Sequence, residues 1–169
     1  MNPGERSAGV VLAVVTDVKD PEGLGRIKIR YPFLDDGEQR WVPVGAPMAG
    51  DDRGVFVMPE IDDEAIVAFG HGMWDHPYVI GFLWNPRQKP PSRDERQRMI
   101  RSKNGHTIRF VDSTPSSGDK GALIIEDAHG NSIVMSNTQV TIHSRGHLAL
   151  TGASISIMNR LVKPVGGPI

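Results

Sequence analysis

The 169 residues carry 19 Lys and Arg against 20 Asp and Glu, a formal charge of −1, so no overall field draws the chain to nucleic acid or to an anionic bilayer. No cysteine is present, which excludes disulfides and thiolate metal sites and leaves the redox compartment open. Hydrophobic content of 38% is low while Gly 19 and Pro 13 are generous, which predicts a turn-rich, all-β chain sized for one compact domain or a small domain with an extension.

The first residues lack a basic region feeding a long apolar segment, and Val10 to Val15 is too short for a signal core or a membrane span, so no signal peptide is expected. Ala8 to Val18 is a continuous apolar run, the pattern of a strand buried on both faces. Residues 20–25, with Pro21, Gly23 and Gly25, break it. Arg26 to Phe33 then alternates, Ile27, Ile29, Tyr31 and Phe33 against Arg26, Lys28 and Arg30, which predicts a half-buried strand with a basic outer face. Asp35, Asp36 and Gly37 turn the chain into a short strand, Trp41 to Val44, whose Pro43 argues for a sheet edge. Further strands are expected at Val55 to Met58, Glu64 to Gly70 and Tyr78 to Leu83. Five or six short strands within about 80 residues, with no amphipathic helix, predict a small closed barrel over residues 1–85.

Residues 86–99 read as a linker, with Pro86, Pro90 and Pro91 followed by charge. Ser92 to Glu95 has the form of a capping box, which would admit one helical turn. Strand patterning resumes with Thr107 to Val111. From Ile133 the apolar residues fall in pairs two apart: Ile133 and Met135, Val140 and Ile142, Leu148 and Leu150, Ile155 and Ile157. The pairs begin at 133, 140, 148 and 155 and are separated by the turn-forming clusters 136–138, 144–146 and 151–153. Steps of seven and eight residues without a helix predict a β-ribbon winding on itself over 100–169. A single such layer, polar on its other face at Ser132, Thr141, His143, Ala149 and Ser156, cannot offset its own ordering entropy. Identical chains are expected to cover it, most simply three ribbons whose paired residues form a seam around a common axis.

Candidate chemistry is sparse. His143 and His147 could ring a metal in three symmetric copies, but His143 alternates with Ile142 and so points away from the seam, and solvated strand histidines are the expectation. Asp62, Asp63 and Glu64, like Asp35 and Asp36, sit in turns where carboxylates serve local hydrogen bonds. No nucleophile elbow, phosphate-binding glycine loop or zinc-protease motif occurs, so neither enzymatic activity nor a cofactor is expected.

Residues 20–33 (Asp-Pro-Glu-Gly-Leu-Gly-Arg-Ile-Lys-Ile-Arg-Tyr-Pro-Phe) resemble the OB-fold domain of the phage baseplate protein V, VgrG and central-spike superfamily. So do Trp41-Val42, residues 47–50, Val57 to Glu60, Asp63 to Phe69 and Pro77 to Gly81. Residues 103–108 and 124–133 resemble that family's spike. The resemblance covers essentially the whole chain. It implies an N-terminal OB barrel, a linker, and a triple-stranded β-helix or β-prism of three intertwined chains. The function it implies is the central spike of a contractile injection system, whether phage tail, tailocin or toxin-delivery particle, which pierces the target cell envelope when the sheath contracts.

The implied partners are two further copies of the chain, a separate hub protein meeting the basic face of Arg26, Lys28 and Arg30, and tube or cargo proteins. A PAAR-type tip protein would sit on Pro164, Val165, Pro168 and Ile169. Assembly in the bacterial cytoplasm and residence in a virion or extracellular particle follow. Against the family pattern, no hub-like domain is expected before the barrel, no lysozyme domain is inserted after it, and no iron-binding His-x-His occurs near residue 169. The rival reading is an OB-fold protein binding single-stranded nucleic acid through Arg26, Lys28, Arg30, Tyr31 and Trp41. The acidic turns offset that basic face, and the ribbon would have no role in such a protein.

Overall fold

Small and β-branched residues at alternating positions of Val11–Asp17 (β1) send Ala13 and Val15 inward, both fully buried. The computed structural model describes residues 9–34, 37–114, 116 and 118–158, with the backbone of 160–161. Two compact units divide between Pro90 and Pro91.

In the first unit β1 pairs antiparallel with Ile27–Arg30 (β2) and with Glu64–Phe69 (β6). Gln39–Val42 (β3) extends the sheet beyond β2, and Pro77–Leu83 (β7) extends it beyond β6, giving the order β3-β2-β1-β6-β7. A short hairpin, Ala49–Gly50 (β4) and Arg53–Gly54 (β5), lies between β3 and β6 in sequence. The two edge strands meet in parallel at Val44 and Val79. There the Gly45 amide donates to the Val79 carbonyl at 2.8 Å, and the Val79 amide donates to the Pro43 carbonyl at 3.0 Å. Register shifts between Val15 and Asp17 and between Ile66 and Val67 supply the bends that let one sheet curl onto itself. Pro43 lies beside the edge strand, as its missing amide requires.

The inner face closes over Ile27, Ile29, Val42, Ala65, Val67 and Val79, capped by Tyr31, Phe69 and Trp74. The Trp74 ring centroid lies 4.8 Å from that of Tyr31 and 4.6 Å from that of Phe69. The Tyr31 hydroxyl is buried with no hydrogen-bond partner. Burial pushes the phenol up to about 12, so the stability carried by its neutral form is complete below pH 10 and is lost as pH rises toward 12. Tyr31→Phe is therefore expected to be neutral or to stabilise by about 1 kcal/mol, because it removes an unsatisfied polar atom. The gain should widen above pH 10. Urea unfolding at neutral and alkaline pH checks this; a loss of stability would mean that the hydroxyl has a partner in solution.

Three expectations for this unit are corrected. The Ala8 to Val18 run is not buried on both faces: a single curled sheet has one dry face, and Leu12 on the other is 44% exposed. Val55 to Met58 is not a strand, because the chain forms the β4–β5 hairpin just before it and leaves Phe56 exposed. Phe33 leaves the alternation because the chain turns after Tyr31, whose carbonyl accepts from the Leu34 amide at 3.2 Å.

In the second unit Gln97–Arg101 (β8), Thr107–Val111 (β9), Ala122–Glu126 (β10), Ser132–Ser136 (β11) and Gln139–His143 (β12) form an antiparallel meander. Asn137 and Thr138 join β11 to β12, both with positive φ (48° and 64°), the two-residue hairpin whose twist matches its strands. The seven-residue step from 133 to 140 thus marks a hairpin. Beyond it, residues 148–150 form no strand, and the next pairing is the short Ser156–Ile157 (β13) with Arg160–Leu161 (β14).

The stretch read as a linker is partly structured. The Gln88 side-chain amide donates to the Asp62 carbonyl at 3.1 Å and to Asp63 Oδ1 at 2.9 Å, tying residues 85–88 to the first unit's acidic turn. The candidate capping box forms a turn leading into β8, with the Asp94 amide on Ser92 Oγ at 3.0 Å, and no helix. β8 begins inside the stretch. Its sequence, Gln-Arg-Met-Ile-Arg, has too little alternation to reveal it.

Candidate functional site

The loop from β1 to β2 is organised by one carboxylate. Asp20 Oδ1 accepts from the Glu22 amide at 3.1 Å and from Arg26 Nη2 at 2.7 Å. Oδ2 accepts from the amides of Leu24 and Arg26 and from Arg26 Nε, at 3.0, 3.2 and 3.1 Å. Gly23 and Gly25, with φ of 68° and 72°, allow the chain to wrap around it. Glu22 completes the cluster at 3.0 Å from Arg26 Nη2. The Arg26 guanidinium, followed by the backbone donors, holds the Asp20 carboxyl well below its usual 3.8.

A depressed carboxylate stabilises fully above its unfolded value and loses that contribution as pH falls through its folded one. Asp20→Asn is therefore expected to lower the melting temperature at pH 7 and to narrow the gap from the parent as the pH is taken below 3.8. Melting curves from pH 7 to 2 check this; a constant gap would remove the ionised carboxylate from the explanation.

This loop decides how the predicted basic face is presented. Lys28 and Arg30 stand on the side of β2 opposite the buried Ile27 and Ile29. Lys28 faces Trp41 on β3, its Nζ 5.8 Å from the ring centroid, and Arg30 faces Gln39. Arg26 lies just before the strand with its fork engaged by Asp20 and Glu22. The Asp62–Glu64 carboxylates serve their own turn, Asp63 Oδ2 accepting from the Glu60 amide at 2.8 Å. Among the described residues no group of three metal-binding side chains comes together. His143 is paired with Ser132, on the face away from its neighbour Ile142.

The second unit carries the larger feature. Cross-strand partners share a face of the sheet. The register sets Ile100 opposite Ile108, Ile108 opposite Ile125, Ile125 opposite Ile133, and Ile133 opposite Ile142. Five isoleucines therefore form a row across all five strands, and each is 36–68% exposed. A parallel row joins Arg98, Phe110, Leu123, Met135 and Val140. The opposite face, with Thr107 and Arg109, is the more buried one.

Of the predicted seam, Ile133, Met135, Val140 and Ile142 lie together on this apolar face. Leu148 and Leu150 are exposed outside any strand, Ile155 is half-buried before β13, and Ile157 is exposed on β13. The predicted tip contacts Pro164, Val165, Pro168 and Ile169 lie outside the described residues. The sequence reading missed Ile100, Ile108, Phe110, Leu123 and Ile125 as members of the same face. The spacing of Ile108 and Phe110, and of Leu123 and Ile125, was the available signal, but it only becomes a stripe once the strands are in register.

A curled five-stranded sheet whose edges meet in parallel, with a glycine-lined loop wrapped on Asp20, defines an OB-type domain. Residues 11–84 match the family described as the Type VI secretion system/phage-baseplate injector OB domain, and through this unit the chain is similar to the baseplate V/VgrG superfamily. Two spike proteins of the Type VI secretion system from Pseudomonas aeruginosa, VgrG2a and VgrG2b, are each 32% identical over 72 residues. Those matches cover 40% of this chain and 9% and 7% of the relatives. A third, VgrG1b of the same organism, is 27% identical over 135 residues, covering 73% of this chain and 18% of its own length. The first unit ends at Pro90, so that similarity reaches into the second unit. The chain spans less than a fifth of the length of each of these relatives.

Proposed function

We propose that the chain is the central spike of a contractile injection particle, working as a homotrimer that pierces the target envelope when a sheath drives it forward. The observation that supports this most is the five-isoleucine row. A sheet with so broad an apolar face, whose edge strands β8 and β12 pair with no further strand among the described residues, is a liability in a protein that stays monomeric. Three copies turning these faces to a common axis would bury them in a three-sided prism and pair the open edges between chains. The rigid body that results suits a mechanical task and needs no catalytic group.

Under this proposal Lys28 and Arg30 meet a hub protein, with Arg26 holding the neighbouring loop. The segment with Pro164, Val165, Pro168 and Ile169 carries a PAAR-type tip protein, and tube or cargo proteins complete the particle. Assembly takes place in the bacterial cytoplasm, before the particle is released as a virion or phage tail-like body. The single-strand-binding alternative has Lys28 and Trp41 in its favour, but the family similarity is to injector OB domains.

The test is the mass of the purified chain by light scattering, with gel migration before and after boiling in SDS. A trimer that persists in SDS until boiled is expected. A monomer of 18.5 kDa would overturn the spike reading, and salt-dependent binding of a single-stranded oligonucleotide would then become the leading alternative.

A further inference from the structure

On the sheet face away from the isoleucine row, the turn between β8 and β9 and the turn between β10 and β11 come together with the loop after β12. They enclose a cleft of about 350 Å³ whose walls include Arg101, Arg109 and Arg145 with Asn104, Glu126 and Asp127. The charges of this cleft are unevenly committed. Asp127 is spent on its own turn, accepting from the amides of His129 and Asn131 at 2.9 and 2.8 Å and from Asn131 Nδ2 at 2.7 Å. Glu126 reaches Arg109 Nη2 only at 3.4 Å, and Arg109 Nε is shut away from solvent without an acceptor. A buried donor without an acceptor is uncommon in a folded chain and marks spare hydrogen-bonding capacity. The Arg145 amide is fixed on Asn131 Oδ1 at 2.9 Å, which anchors that residue at the rim. Among the described residues the side chains of Arg101 and Arg145 pair with no carboxylate.

Three guanidinium groups thus line one cleft against two carboxylates, of which Asp127 has its oxygens taken up by its own turn and Glu126 is only loosely engaged. Guanidinium forks match the oxygens of a phosphate group in geometry and charge better than they match a single carboxylate oxygen. We propose that this cleft binds a phosphate group, supplied either as free phosphate or as the headgroup of an anionic phospholipid.

The experiment uses the full-length chain at low ionic strength. Inorganic phosphate is titrated by calorimetry, and flotation is measured with vesicles of phosphatidylglycerol and, as the neutral control, phosphatidylcholine. One phosphate site per chain is expected. Arg101→Ala and Arg145→Ala should each weaken binding by about tenfold, as loss of a charge-assisted contact predicts. Arg87→Ala, outside the cleft, should leave it unchanged.

Arg101 and Arg145 are exposed, so their variants should keep the parent's melting curve, and Arg101→Lys should retain part of the affinity. Binding of phosphate alone identifies the free ion as the source, and binding of phosphatidylglycerol vesicles that depends on Arg101 identifies the headgroup. The proposal is overturned if neither probe binds, or if binding is indifferent to both Arg101 and Arg145.

Discussion

Ile142→Asp is expected to yield a folded monomer in place of a trimer. Ile142 closes the isoleucine row on the edge strand β12 and is 54% exposed in the single chain, so the meander itself can tolerate a polar side chain there. In a three-fold assembly the same substitution would bring three carboxylates toward one axis and out of water. The effective penalty of several kcal/mol per buried ion exceeds what the remaining apolar contacts of one row position return. Thr141→Asp, one residue away on the other face, should leave the trimer intact. Light scattering of the two variants at matched concentration separates the cases, and a normal trimer from Ile142→Asp would count strongly against an inward-facing isoleucine row.

Gly121→Ala should be the most destabilising small substitution in the second unit. Gly121 enters β10 with φ of 82°, and a Cβ built there would stand 1.8 Å from the Val111 carbonyl oxygen. No flexible side chain can yield, because the obstacle is backbone in the strand paired with β10. Left-handed strain and the clash together should cost about 3 kcal/mol or more, which places the change among the exceptional single substitutions. Guanidinium unfolding at fixed chain concentration measures it. A loss under about 1 kcal/mol would mean that the end of β9 moves aside freely.

Both expectations depend on register, and register is where reading the residues alone ran out. Alternation in Ile27 to Tyr31 and in Glu64 to Phe69 announced the barrel strands, because a strand's two faces are written locally. The same local rule overextended at Val55 to Met58, where an apolar run found no strand to pair with. It also passed over β8, whose polar residues become strand only because β9 lies beside them.

The sequence by itself determined the all-β class, the turn-forming break at residues 20–25 and the alternation of the first unit's strands. Each of these rests on spacing within a few residues or on backbone restrictions of glycine and proline. Only the tertiary structure decided that Arg26 is bound up in its loop, that 148–150 forms no strand, and that Ile100, Ile108, Ile125, Ile133 and Ile142 stand in one line. Pairing between strands sets which residues face one another, and that choice depends on turn lengths and partners across the whole meander.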